Sequence, residues 1–207
     1  MLLNLRRSIV SVLVFTLFFG FVYSLAGTGV AQILFPHQAD GSIITGGSTL
    51  IGQNWAATKC PGHPLGSCVF HGRPDDTGPY AANAKEHTSG GDNPLVANGV
   101  SGESGATNLG PRSKVLLSDT SQLVAYWHSL GVDPTTDLVT TSGSGLDPDI
   151  TPQDALAQIP MVSAATGIPA PTLTALIKKE THSAELGFLG SDYIDVLQLN
   201  EALAKLR

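Results

Sequence analysis

Residues 9–26 read IVSVLVFTLFFGFVYSLA, an apolar stretch interrupted only by Ser11, Thr16 and Ser24. The uncharged region is longer still, because residues 8–36 contain no Asp, Glu, Lys, Arg or His. About 20 mainly apolar residues in a helix cross the hydrocarbon core of a bilayer, which is about 30 Å thick. The sequence therefore predicts one transmembrane helix, at residues 9–31.

The charges on either side of this helix predict its orientation. Arg6 and Arg7 precede it, and the first charged residue after it is Asp40. Basic residues that flank a membrane helix stay in the cytoplasm. We therefore expect a single-pass protein of the cell (inner) membrane, with residues 1–8 in the cytoplasm and an extracytoplasmic domain at residues 32–207.

A cleaved signal peptide is the alternative interpretation of the same stretch. The sequence Ser24-Leu25-Ala26 resembles a cleavage site, and residues 29–31 offer a second one. The apolar region of a signal peptide normally has about 7–15 residues. This region is longer, so a retained anchor is favoured over a secreted, soluble binding domain.

Small residues recur along the predicted helix at steps of three and four. Residues at these steps share one helix face, and a face of small residues lets membrane helices approach closely. Glycine and alanine are also common in membrane helices in general, which is the alternative explanation. The predicted packing face consists of Thr16, Gly20, Ser24, Gly27 and Ala31.

The 207-residue chain is acidic, with 11 Lys+Arg against 17 Asp+Glu and a net charge of −6. A nucleic-acid binder needs a basic domain or stripe to meet phosphate, so that class is excluded. All 17 acidic residues and 9 of the 11 basic ones lie beyond residue 39, so residues 40–207 carry −8. This length is typical of one domain with an appendage.

The two cysteines leave three interpretations open. Cys60 and Cys68 enclose the seven residues PGHPLGS, and a disulfide closing this loop is plausible outside the reducing cytosol. Free thiols are the second interpretation. The third is a metal site with His63 and His71, although no further pair of ligands completes a set of four.

The remaining pattern mixes short strands and helices without regular βαβ spacing, which predicts an α+β fold. A polar stretch at 75–113 has no periodic apolar pattern and is predicted to be a long loop. Strands are expected at 42–45, 50–53, 69–71, 137–141 and 193–197. Helices are expected from a cap at Ser118 or Asp119 to Gly131, from Thr151 to Gly167 with a kink at Pro160, at 171–181, and at 199–206.

No pattern for nucleophilic, phosphate-binding or dinucleotide chemistry occurs in the sequence. The SGSG at 142–145 is expected to be a turn, and the pair Asp147/Asp149 is expected to have a turn and capping role. The pair His182/Glu185 is interpreted as a surface coincidence. The tetrad HGRP at 71–74 is the most function-like of these motifs. Its Arg73 is expected either to bind a carboxylate or a backbone carbonyl, or to hold the long polar loop in place. The sequence thus predicts no catalytic residue, metal site or cofactor, and an extracytoplasmic hydrolase using His71 or the Asp147/Asp149 turn is the least favoured class.

An ordered series of motifs resembles the KdpC family, the C subunit of the Kdp-type potassium-transporting P-type ATPase. The resemblance implies an accessory subunit that partners a channel-like A subunit and an ATP-hydrolysing B subunit in membrane lipid. It also implies a role in assembly, described in the family as a catalytic chaperone that raises the ATP affinity of the B subunit. ATP is implied by that description alone. The motifs are LFPHQADGSII (34–44), LIGQNW (50–55), FHGRP (70–74), SGGDN (89–93), TNLGP (107–111), residues 137–160, LGFLG (186–190) and VLQLNEAL (196–203).

The resemblance implies partner-contacting or structural roles for residues inside these motifs. They are Gly52, Gln53, His71, Gly72, Arg73, Pro74, Asn108, Gly110, Ser142, Gly143, Ser144, Gly145, Asp147 and Gln158. The chain departs from the family pattern by insertions at 56–69 and 94–106, the second of which separates SGGDN from TNLGP. Under this interpretation, the acidic Asp75, Asp76 and Asp92 are candidates for raising the local cation concentration near a channel entrance, with solubility as the alternative.

Overall fold

A computed structural model describes residues 2–53, 55–74 and 106–207. The described chain separates into two units, residues 1–48 and residues 49–207. Most of the predicted polar loop lies outside the described residues, as do Asp75, Asp76 and Asp92 and all but the last position of the 94–106 insertion.

The first unit begins with one long helix built from three consecutive segments. They are α1 (Leu2–Phe15), a π-helical segment (Thr16–Tyr23) and α2 (Ser24–Leu34). Residues Leu3–Leu34 form 32 helical residues that are apolar enough to cross a membrane. Large apolar side chains along it are exposed, for example Phe18 at 52% and Leu25 at 69%. This helix contains the predicted span and is longer at both ends.

The rest of the first unit is small. Helix α3 (Pro36–Ala39) leads to the antiparallel strands β1 (Ile43–Ile44) and β2 (Gly47–Ser48). The Ser48 hydroxyl donates a hydrogen bond of 2.7 Å to the carbonyl oxygen of Gly41 and closes the turn. The predicted strand at 42–45 is therefore present, shortened to two residues.

In its described part, the second unit packs five helices and two short strands around a main apolar core, and a smaller cluster lies at Cys60, Cys68 and Val69. A 3₁₀ turn at Trp55–Ala57 precedes α4 (Lys114–Ser129), and another at Asp137–Val139 precedes β3 (Asp149–Ile150). Helices α5 (Pro152–Ala157), α6 (Ile159–Thr166) and α7 (Ala170–Glu180) follow, and then β4 (Ile194–Asp195) and α8 (Val196–Ala204). The core includes Phe70, Leu123, Trp127, Leu138, Leu173, Ile194, Leu199 and Leu203, all at most 1% exposed.

Local features of the sequence account for the ends of helices α5 and α6. Thr151 and Asp154 form a reciprocal capping box, with Pro152 in the first turn. Pro160 separates α5 from α6 at Gln158, and Gly167, in the left-handed region, ends α6. Strands β3 and β4 pair antiparallel, with Asp149 opposite Asp195. The mixed helix and sheet prediction is confirmed, with little sheet.

The structure corrects several predicted elements. Helix α4 begins at Lys114 instead of near residue 119, because the Ser113 hydroxyl accepts a hydrogen bond from the Leu116 amide and caps it. Asp119 is a buried residue inside that helix. Helix α8 begins at Val196, where Asp195 caps it, instead of at residue 199. Residues 50–53 and 69–71 are not strands, and 137–141 contains a 3₁₀ turn.

Cys60 and Cys68 form a disulfide with Cα atoms 5.6 Å apart, and both side chains are buried. Closing this short loop restricts the unfolded chain. We expect the double change Cys60→Ser and Cys68→Ser to lower the free energy of unfolding by about 2.5 kcal/mol. Urea unfolding of the full-length chain in detergent, followed by tryptophan fluorescence, measures this change. A reductant should destabilise the wild type and leave the double variant unchanged, and an equal effect on both would contradict the prediction.

Candidate functional site

The second unit brings several of the motif residues together around one small cavity of about 30 Å³. This volume holds about one water molecule. Three separate chain segments form its wall, near residues 52–56, 71–74 and 145–147. The motif residues that line it are Gly52, Gln53, His71, Gly72, Arg73, Pro74, Gly145 and Asp147.

Gly52 allows two of these segments to touch backbone to backbone. Its amide donates a hydrogen bond of 2.9 Å to the carbonyl oxygen of Leu146. A Cβ atom placed on Gly52 would lie 2.5 Å from the carbonyl oxygen of Asp147, which is closer than any real Cβ contact. Glycine is therefore required here by the close approach of the 145–147 segment.

Two buried carboxamides, Gln158 and Asn200, hold the backbone of Phe70 and His71, and we call this set the carboxamide clamp. The Gln158 Oε1 atom accepts from the His71 amide at 2.7 Å, and its Nε2 donates to the His71 carbonyl at 3.0 Å. Asn200 makes the same pair with Phe70, both at 2.8 Å. These contacts replace the strand partners that residues 69–71 lack, which is why the predicted strand is absent.

The His71 side chain is buried in the second unit, and its imidazole is neutral there. Burial lowers the pKa of its imidazole to about 4, and the hydrogen bond to Gly66 opposes that shift only partly. The Nε2 atom lies 2.8 Å from the Gly66 carbonyl oxygen, so Nε2 carries the proton and donates it. The ring stands edge-on to Trp127, with centroids 5.4 Å apart. A general base poised near neutral pH needs a pKa near 7, so His71 is poorly suited to that role.

The Arg73 guanidinium group donates hydrogen bonds to a neighbouring loop. Nη2 donates to the Thr141 carbonyl oxygen at 2.9 Å, and both Nε and Nη2 donate to the Thr140 carbonyl oxygen at 3.3 Å. The Asp137 carboxylate lies 3.8 Å away. Arg73 therefore binds backbone carbonyl oxygens, which is one of the two sequence interpretations of HGRP, and the loop that it holds among the described residues is 137–141.

The predicted SGSG turn is present beside the cavity. The Ser142 hydroxyl accepts from the Gly145 amide at 3.2 Å, and the Ser144 hydroxyl accepts from the Leu146 amide at 3.2 Å. Gly145 has a φ of 68°, which glycine adopts without strain. Asp147 then accepts from the Asp149 amide at 3.2 Å, the turn role expected for this carboxylate. A Cβ atom placed on Gly143 would have none of the described atoms within 4 Å.

Asp149 lies in β3 opposite Asp195, near Asp147 and His182. Burial raises the pKa of its carboxyl from 3.8 to about 6, helped by the charges of Asp195 and Asp147 and opposed by His182. Burial also raises the pKa of the Asp195 carboxyl. A carboxyl whose pKa is higher in the folded state stabilises the fold when it is protonated.

We expect Asp149→Asn to make the protein more stable than the wild type above about pH 6. The Asp149 contribution is fully present below pH 3.8 and is lost as the pH rises through about 6. Asparagine resembles the protonated form at every pH, so the difference between variant and wild type should vanish near pH 4. Urea titrations across this range measure it, and a gap that widens on acidification would refute the assignment.

Other predicted site residues lie elsewhere. Asn108 and Gly110 precede α4 and do not line the cavity, and Asn108 donates to the Ala106 carbonyl oxygen at 2.9 Å. His182 stacks on Tyr193, with centroids 5.0 Å apart.

Across the described residues, no group of three or more His, Cys, Asp or Glu side chains could hold a metal ion. The small residues predicted as a packing face all belong to the long helix of the first unit, namely Thr16, Gly20, Ser24, Gly27 and Ala31.

Asn200 is the structural residue that sequence reasoning missed. Its signal was an amide side chain on α8 at helical spacing from Val196 and Leu203 and beside Leu199, which are buried core residues. A buried amide on such a face must find hydrogen-bond partners. The sequence could therefore indicate a bonded Asn200, but not that Phe70 is its partner.

Comparison with known proteins shows similarity along the whole chain. The family model described as KdpC, K+-transporting ATPase, c chain, matches residues 5–205. A Potassium-transporting ATPase KdpC subunit of Caulobacter vibrioides (strain NA1000 / CB15N) is 40% identical over 98% of this chain and 93% of the relative. The subunit of that name from Rhodopseudomonas palustris (strain ATCC BAA-98 / CGA009) is 39% identical over 98% of this chain and 97% of its own. That of Methylobacterium nodulans is 38% identical over 100% of this chain and 98% of its own.

Proposed function

The chain belongs to the KdpC family of K+-transporting ATPase C chains, and from that membership we propose a non-catalytic accessory subunit of a high-affinity, ATP-driven potassium uptake complex. The main observation in support of this proposal is the family match across residues 5–205, which extends over the apolar helix as well as the second unit. Its partners would be a channel-like A subunit and an ATP-hydrolysing B subunit, assembled in membrane lipid.

The placement of the two units is part of the proposal. Arg6 and Arg7 precede the helix and keep the N-terminus in the cytoplasm, so the second unit lies outside. The Cys60–Cys68 disulfide supports this placement, because disulfides persist in oxidising compartments and are rare in the cytosol. The small residues on the helix would pack against membrane helices of the partners.

The second unit supports assembly better than chemistry. Its most reactive-looking side chains, His71 and Arg73, contact backbone carbonyls of their own chain. Such contacts hold a rigid unit in shape and leave its outer surface for partners. In this proposal any effect on the ATP affinity of the B subunit is indirect, and this chain binds no nucleotide itself.

Affinity purification from the native host tests the proposal. The full-length chain, tagged after Arg207, would be extracted in mild detergent from potassium-starved cells, and its intact mass and co-purifying polypeptides determined. We expect an uncleaved chain together with a P-type ATPase and a channel-like protein. A soluble chain that begins near Gly27 and has no partners would favour the secreted binding domain that Ser24-Leu25-Ala26 suggests, and would refute the proposal.

A further inference from the structure

A β-hairpin between α7 and β4 presents a cluster of apolar side chains. Two isolated bridges form it, one between His182 and Tyr193 and one between Glu185 and Leu189. At its end Leu186 is 82% exposed, Phe188 73% and Leu189 51%. We call these three residues the apolar tip. Large apolar side chains clustered on a surface typically mark an interaction site.

The backbone of the apolar tip is strained at Leu186. This residue has a φ of 53°, in the left-handed region that side chains other than Asn and Asp rarely occupy. Among the described residues, the other non-glycine positions with positive φ are Ser42 and Asn108, both small and polar. Because Leu186 is almost fully exposed, packing within the described chain does not offset the strain. Strain of this kind is characteristic of functional segments.

The charge around the apolar tip indicates what covers it. Residues 182–193 contain Glu185 and Asp192 and no Lys or Arg. The Asp192 carboxylate accepts from the Ala184 amide at 3.0 Å, and the Glu185 side chain makes no hydrogen bond with the residues that the structure describes. Anionic lipid attracts basic segments and disfavours acidic ones. An apolar protein pocket with a basic rim complements this surface better.

We propose that the apolar tip inserts into an apolar pocket, bordered by Lys or Arg, on another polypeptide of the K+-transporting ATPase. This inference rests on the proposed function, because it requires that the chain assembles with others. Phe188 would be the central anchor, since a few buried aromatic residues usually carry most of the binding energy of an interface. Leu186 and Leu189 would surround it, and Glu185 would meet the basic rim.

The test compares a tip variant with a matched control in the full-length tagged chain. The tip variant carries Leu186→Asn and Phe188→Ser, and asparagine suits the left-handed backbone, so the fold should be kept. The control is Leu117→Ser, because Leu117 on α4 is 70% exposed and lies outside the hairpin. We expect the tip variant to recover roughly tenfold less of the partner polypeptides, with an unchanged melting temperature, and the control to recover wild-type amounts.

A photo-crosslinking side chain at position 188 identifies the occupant. Cross-linking to another polypeptide of the complex supports the inference. Cross-linking only to lipid, or only to a second copy of this chain, overturns it. If the wild type recovers its partners and the tip variant recovers them equally, the inference fails and the proposed function stands. If the wild type recovers no partner, the proposed function itself fails.

Discussion

Gln158→Ala is expected to lower the free energy of unfolding by about 3–5 kcal/mol. Gln158 is 0% exposed and bonds both the amide and the carbonyl of His71. Its loss leaves two buried backbone groups without partners, each of which costs about 1–3 kcal/mol, and opens a cavity. A domain of this kind has only about 5–15 kcal/mol of stability, so the yield of folded protein should fall sharply.

Urea unfolding of the full-length chain measures this loss, with the buried Trp127 as the fluorescent reporter. Gln122→Ala is the matched control, because Gln122 is exposed on α4 and its amide donates a hydrogen bond to the exposed Ser118 hydroxyl one turn earlier. The control should change stability by less than about 0.5 kcal/mol. Equal stability of the two variants would show that the carboxamide clamp is not a main support of the fold.

Gln158 and Asn200 bond neighbouring residues of one segment, so their losses should not add. Once Asn200→Ala has released Phe70, the segment is already loosened, and removing Gln158 should then cost less than it does alone. A double-mutant cycle measures this coupling, which for residues sharing a network is about 0.5–3 kcal/mol. Strict additivity would mean that the two amides hold the segment independently.

Gly52→Ala is expected to lower the free energy of unfolding by about 3 kcal/mol, near the upper end for overpacking. The added methyl group would lie 2.5 Å from the Asp147 carbonyl oxygen and 3.0 Å from the carbonyl carbon. Both are backbone atoms, so relief requires the 145–147 segment to move and weakens the Gly52 to Leu146 hydrogen bond. The same urea titration measures the effect.

Gly72→Ala is the matched control for this prediction. A Cβ atom on Gly72 would lie 3.6 Å from the same Asp147 oxygen, which is an ordinary van der Waals distance. We expect a change of less than about 1 kcal/mol. If both alanine variants are equally stable, the close approach at Gly52 does not limit the packing of the cavity wall.

The structure follows the sequence best where a signal and its effect lie within one helical turn. The helix start at Thr151, the interruption at Pro160 and the helix at 171–181 were all predicted and are confirmed. The predicted start of α4 was wrong. Ser113, which caps the helix immediately before its first residue, lies at the end of the stretch that was predicted to be a polar loop.

Two of the predicted strands, at 69–71 and 137–141, are absent for a different reason. Residues 69–71 have the apolar character of a strand, but their backbone groups bond the side chains of Gln158 and Asn200. Residues 137–141 bend into a 3₁₀ turn whose following carbonyls bind Arg73. A strand requires a partner strand, and nothing local to either segment reveals whether one exists.

The sequence by itself determined the apolar helix, the acidic charge, the start of α5 at Thr151 and the family, because each depends on composition, on residues a few positions apart, or on ordered motifs. Only the tertiary structure decided what the motif residues contact. Arg73 and Thr140 are 67 residues apart, His71 and Gln158 are 87, and Phe70 and Asn200 are 130. Contacts between residues so far apart in the sequence form when the core packs. The local propensities of the two segments therefore do not predict them.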